Sequence, residues 1–178
     1  MFSIALVLDP SRLPSARPLC NAGIAQRPEI GGVLSQLCLA LDDTGALRFE
    51  VIAFDDKPWP VDVACDLLVL LEQLSDFLQA LRSPEILEFE LSFYEQGIER
   101  DLLCTREASN RIVVDPCSRL PWTPVRSMEI IEAGELDRQL VALVDVFATA
   151  ARIVGPALTD NQVFQDWLAQ VSPGHGRR

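Results

Sequence analysis

Glu88 and Glu90, alternate residues of Leu87-Glu88-Phe89-Glu90-Leu91-Ser92-Phe93-Tyr94, are the side chains of this chain best spaced to do chemistry together. Alternate residues of a strand share a face about 7 Å apart, and Glu99 or Asp101 on the next strand would face them. Such carboxylates have the donor type for a hard divalent cation, or for a shared proton and acid catalysis. They equally suit a solvated strand face that resists aggregation or receives a basic partner.

Nothing else completes a catalytic set. The one histidine, His175, lies in Pro-Gly-His-Gly-Arg-Arg, where no rigid element would hold it as a general base. Cys38, Cys65 and Cys104 fall in apolar patterned elements, where a thiol packs as a small core residue. With Cys20 and Cys117 they make five, an odd number without CxxC spacing, which argues against a disulfide framework or structural zinc. Gly31-Gly32 opens a helical pattern without the spacing of a phosphate loop. The expectation is no catalytic residue, no metal and no cofactor.

Recognition residues are more plentiful. Phe93-Tyr94-Glu95-Gln96-Gly97-Ile98-Glu99-Arg100 reads as a tight hairpin turning at Gly97. It presents Tyr94, Glu99 and Arg100 either as a recognition tip or as turn geometry with a cross-strand Glu–Arg pair. Trp59 stands between Pro58 and Pro60 behind Asp55 and Asp56, and Trp122 lies between Pro121 and Pro124. Tryptophans on proline-braced loops either cap a core or anchor an interface. The candidate partner-binding set is therefore Asp55, Asp56, Trp59, Glu88, Glu90, Tyr94, Glu99, Arg100 and Trp122.

The elements that position these residues follow from hydrophobic period. Residues 2–8 read as a buried strand, and Pro10, Pro14 and Pro18 break the chain after it. Apolar residues at 30, 33, 34, 37, 38 and 41 have helical spacing, stopped by Asp42-Asp43-Thr44-Gly45. A strand over 47–54 precedes the Trp59 turn, and an amphipathic helix runs from Asp62 to Arg82, ended by Ser83-Pro84. Strands near 87–94, 98–105 and 111–115 form an antiparallel meander, followed by a short apolar piece at Met128 to Ile131. Helices over 135–154 and 161–171 close the pattern, the first ended by Gly155-Pro156. The fold class is α+β: an antiparallel sheet of about four to six strands with two or three amphipathic helices packed on one face. Residues 1–171 read as one domain, with 172–178 a mobile tail.

Charge is unevenly distributed. Residues 42–101 hold fifteen of the 26 acids and four of the 15 bases, so the whole net charge of −11 arises there and the remainder is neutral. An acidic band without a basic stripe repels phosphate, which excludes nucleic acid as a natural partner. No apolar run approaches the about 20 residues of a membrane span, and residues 2–9 lack the basic start of a secretory signal, so a cytoplasmic protein is expected. The 49% apolar content implies a well-buried core or a subunit-covered surface, a homodimer being one such arrangement.

The 93–100 hairpin, its alternating approach strand, the Trp122 loop and the C-terminal helices resemble small uncharacterised bacterial α+β proteins of the toxin-immunity kind, over about residues 85–170. The resemblance implies a non-enzymatic protein that neutralises a cognate toxin, with the acidic band meeting a basic partner. It carries over no functional residue. By size and acidity alone the chain is also similar to type III secretion chaperones, acidic dimers that hold an effector, although a strand replaces their usual first helix. An enzyme of unknown type is the third class.

Overall fold

A computed structural model of the chain describes residues 2–13, 29–55, 57–94 and 98–172. Strand β1 (Ser3–Leu8) pairs antiparallel with β2 (Leu47–Ile52), Ser3 opposite Ile52 and Leu8 opposite Leu47. Between them lies α1 (Ile30–Thr44), whose Val33, Leu34, Leu37, Cys38 and Leu41 are buried at the expected spacing. Gly45 ends the helix in the left-handed region at φ 60°, which only glycine adopts cheaply, and its N–H donates to Asp42 O. Gly31 has a packing role: a Cβ there would sit 2.8 Å from Glu72 Oε1 of the neighbouring helix.

That neighbour, α2 (Asp66–Arg82), begins four residues later than its apolar period suggests. Asp62 Oδ1 accepts from the N–H groups of Cys65 and Asp66, while Asp66 Oδ2 accepts from Asp62 N–H, so residues 62–65 form a capping turn. Cys65 is consequently exposed in that turn and does not pack in the core as the pattern suggested.

Strands β3 (Glu88–Phe93), β4 (Arg100–Arg106), β5 (Arg111–Ser118) and β6 (Glu129–Glu132) form a second antiparallel sheet in sequential order. The meander is as expected and gains β6 from the apolar piece at 128–131. The six strands form two sheets rather than one. Helix α3 (Ala133–Val154) follows β6 directly, then the short α4 (Pro156–Thr159) and α5 (Gln162–Val171), the last capped by the Asn161 side chain accepting from Val163 N–H. The Gly155-Pro156 stop breaks the helix, and Pro156 restarts it at the position where its missing N–H costs nothing.

Helix α3 lies against β1 and α2 against β3, so both sheets share one hydrophobic core running from Phe2 to Val171. The free edge of β3 is closed by a side chain: Gln73 of α2 receives Ser92 N–H at 3.0 Å and donates to Ser92 O at 2.8 Å, as a further strand would. Arg106 fastens the C-terminus of α2, donating to Leu81 O and Ala80 O. Ser172, placed in the tail by the sequence pattern, is buried behind α5 with its N–H on Leu168 O. Later residues lie outside the described ones.

Candidate functional site

Six of the nine candidate residues fall in two places on opposite faces of the four-stranded sheet. Asp55, Trp59, Arg100 and Trp122 come together at one end of its core face. Glu88 and Glu90 project from its outer face. Asp56 lies outside the described residues, as do 95–97 of the hairpin tip and His175.

The first cluster is built on an unfavourable backbone. Phe54, at the exit of β2, is fully buried with φ 62°, a region that costs a non-glycine residue about 1–2 kcal/mol. Its surroundings hold it there: the Phe54 N–H donates to Glu129 Oε1 of β6, and its carbonyl accepts from Arg126 N–H at 2.8 Å. The ends of the two sheets are thereby pinned together. Trp59 returns to β2, its backbone N–H donating to Val51 O and its indole N–H to Ala53 O. At 4% exposure Trp59 belongs to the core, while Trp122 is half-buried.

The two indoles meet edge to face at 5.8 Å, and Phe54 and Phe93 complete an aromatic cluster around them. Into this cluster Arg100 places its guanidinium, Cζ 3.8 Å from the Trp122 ring centroid and 4.7 Å from that of Trp59. The electron-rich indole faces stabilise the cation. Burial among the rings pushes the Arg100 pKa down from its ordinary value, and nearby Asp55 pushes it back up; an arginine remains charged under both influences. The Arg100 side chain donates no hydrogen bond to any described residue, and its buried Nε has no partner. Among the described residues Arg100 forms no ion pair and lies against the tryptophans, while half-buried Glu99, at φ 44°, uses its carbonyl to receive Arg119 N–H; Glu95, the other acid of the hairpin, lies outside the described residues.

Asp55 is fully committed. Its Oδ2 accepts from Trp122 Nε1 at 3.1 Å, its Oδ1 from Val125 N–H at 3.0 Å, and its carbonyl from Arg126 Nη2. A cavity of about 350 Å³ opens beside these groups, lined by Asp55, Lys57, Pro58, Trp59, Pro60, Arg100 and Val125. Val125, Arg126 and Glu129 were not legible as members of this region, because chain separations of about 70 residues are bridged only by tertiary packing, whereas Lys57, two residues from both Asp55 and Trp59, was within reach of the sequence and was missed.

The second place is the outer face of the sheet. Register sets Glu90 opposite Leu103, Leu103 opposite Asp115, Glu88 opposite Thr105, and Thr105 opposite Val113, which faces Ile130. Exposed Leu103 and Ile130, with half-buried Val113, form an apolar stripe flanked by carboxylates. Asp101 is paired with Arg119 at 3.7 Å, whereas Glu88, Glu90 and Asp115 have no ion-pair partner among the described residues. A shallow cavity of about 570 Å³ lies over Glu88, Phe89, Glu90, Leu103, Cys104, Thr105 and Asp115. Asp115 was not named from the sequence, yet continuing the alternation through one more hairpin would have found it. Tyr94 is exposed at the end of β3.

The remaining chemistry-bearing groups are placed as follows. Among the described residues no three His, Cys, Asp or Glu side chains come close enough to hold a metal ion. Burial pushes the Cys104 thiol up to about 12 and raises that of Cys38 still further, which suppresses the nucleophilic thiolate; Cys65 and Cys117 are exposed. No described helix is long and apolar enough to cross a membrane. No protein-family model, curated protein or solved structure matches the chain.

Proposed function

We propose that this protein is a non-enzymatic protein-binding protein whose outer β3–β6 face receives a basic partner. The observation that carries the reading is the apolar stripe of Leu103, Val113 and Ile130, set among Glu88, Glu90 and Asp115, carboxylates without ion-pair partners among the described residues. Apolar groups supply the area that drives association, and the carboxylates select a cationic surface and speed encounter. An open sheet face is a poor setting for catalysis, which needs a concave, water-excluding pocket.

The specific form of the proposal is immunity: the partner is a bacterial toxin whose basic surface is covered when this face docks, in a cytoplasm shared with the toxin. The test is to capture partners on the tagged chain at low and moderate salt, and to repeat the capture with Glu88→Arg/Glu90→Arg. The expected result is one basic partner, toxic when expressed alone, lost with salt and lost in the double variant. A partner insensitive to both changes overturns the acidic-face reading. A constitutive dimer holding an acidic or neutral effector would instead establish the secretion-chaperone alternative.

A further inference from the structure

The closest contacts of the Arg100 guanidinium are rings, with the Asp55 carboxylate nearby but not hydrogen-bonded to it. Two indoles flank its guanidinium, its charge lacks an ion pair among the described residues, and it stands beside a cavity whose other cation, Lys57, is exposed and likewise unpaired. Asp55, the carboxylate lining the same cavity, has both oxygens engaged by Trp122 Nε1 and Val125 N–H. The cavity therefore offers a fixed, planar set of donors with no acceptor assigned to it. Arginine presents its donors in a fork that matches a carboxylate, and contact with the two rings restricts the fork before a ligand arrives, so less freedom is lost on binding.

Size narrows the ligand. About 350 Å³ accommodates one side chain or one chain end, and the prolines and Trp59 that wall it suit a short aliphatic stem. No helix N-terminus or glycine loop stands among the lining residues to supply the backbone donors typical of phosphate sites.

We propose that Arg100, set against the rings of Trp59 and Trp122 and assisted by Lys57, is a receptor for a carboxylate carried on a protein chain, either an acidic side chain or a free C-terminus. The site stands apart from the outer sheet face. It uses different residues and the opposite charge, so either proposal can fail without the other.

The test is titration of the full chain, followed through the indole N–H resonances of its three tryptophans. Three peptides serve as probes: acetylated Gly-Gly-Ala with a free C-terminus, its C-terminal amide, and acetylated Gly-Glu-Gly amide; inorganic phosphate is the fourth probe. The expected result is saturable movement of the Trp59 and Trp122 signals, with Trp167 unmoved, by one or both carboxylate peptides and not by the Ala amide. The peptide that binds identifies the source of the carboxylate. Arg100→Gln is expected to weaken that binding at least tenfold. Lys57→Gln, at an exposed position where folding is not at stake, is expected to weaken it several-fold. Absence of saturation by both carboxylate peptides, equal binding by the amide, tighter binding of phosphate, or unchanged affinity in Lys57→Gln would each overturn the assignment.

Discussion

The Arg100 guanidinium carbon lies 3.8 Å from the centroid of the Trp122 ring, and the same indole donates its N–H to Asp55 Oδ2 at 3.1 Å. One side chain thus stabilises a cation through its face and an anion through its edge. It joins the 121–128 segment to both the β2 exit and the β4 entry.

Replacing Trp122 with Leu should therefore cost more than its half-buried position suggests. The change removes the ring beneath Arg100, the edge contacts to Phe54 and Trp59, and a donor to Asp55. The expected loss is about 2–4 kcal/mol, read as a lowered urea midpoint at constant slope. A loss below about 0.5 kcal/mol would show that the cluster is decorative.

Glu129 holds the strained Phe54 N–H and also pairs with Arg126 Nε at 2.8 Å. Glu129→Ala leaves a buried donor unsatisfied and is expected to destabilise the protein by about 1–3 kcal/mol. Amide exchange should rise first at Phe54 and Arg126, the two N–H groups that pin the sheets together, and uniform acceleration across the chain would contradict this role.

At the other edge of the sheet, Gln73→Leu preserves bulk and removes both hydrogen bonds to Ser92. We expect a cost of about 1–2 kcal/mol, together with concentration-dependent self-association measured by light scattering, because the β3 edge becomes a template for another strand. Unchanged mass at high concentration would refute the edge-closing function.

The thiols should divide sharply. In a Cys20→Ser background at pH 8, a thiol reagent should modify Cys65 and Cys117 rapidly and spare Cys38 and Cys104 until the chain unfolds. For Cys104 the folded pKa, about 12, lies above the ordinary thiol value of 9.0, so the folded state binds more protons between these limits. Its contribution to stability is complete below about pH 9 and is lost as pH rises toward 12, which alkaline denaturation of a Cys104→Ala variant against the parent chain would reveal.

Much of the fold was written in local patterns. The period of 3.6 over 30–41 and 135–154, and of 2 over 87–94, needs only neighbouring residues, because one face must leave water while the other remains in it. Boundaries shifted where side chains compete for backbone donors, as Asp62 and Asp66 do before α2. The candidate site was half legible: Asp55, Trp59, Arg100 and Trp122 were all named from residue type and turn context, with core capping and interface anchoring both open for the tryptophans, but nothing local joined the four into one cluster.

Their assembly was decided by tertiary structure alone. The sequence by itself determined which residues are apolar, which turns are braced and where the acidity lies. It did not determine that six strands divide into two sheets, or that Arg100 lies over the indoles of Trp59 and Trp122. Those outcomes depend on Phe54 accepting a costly conformation so that Glu129 and Arg126, over 70 residues away, can hold it. A local pattern cannot encode that choice, because the energy that repays the strain comes from groups brought close only by the completed core.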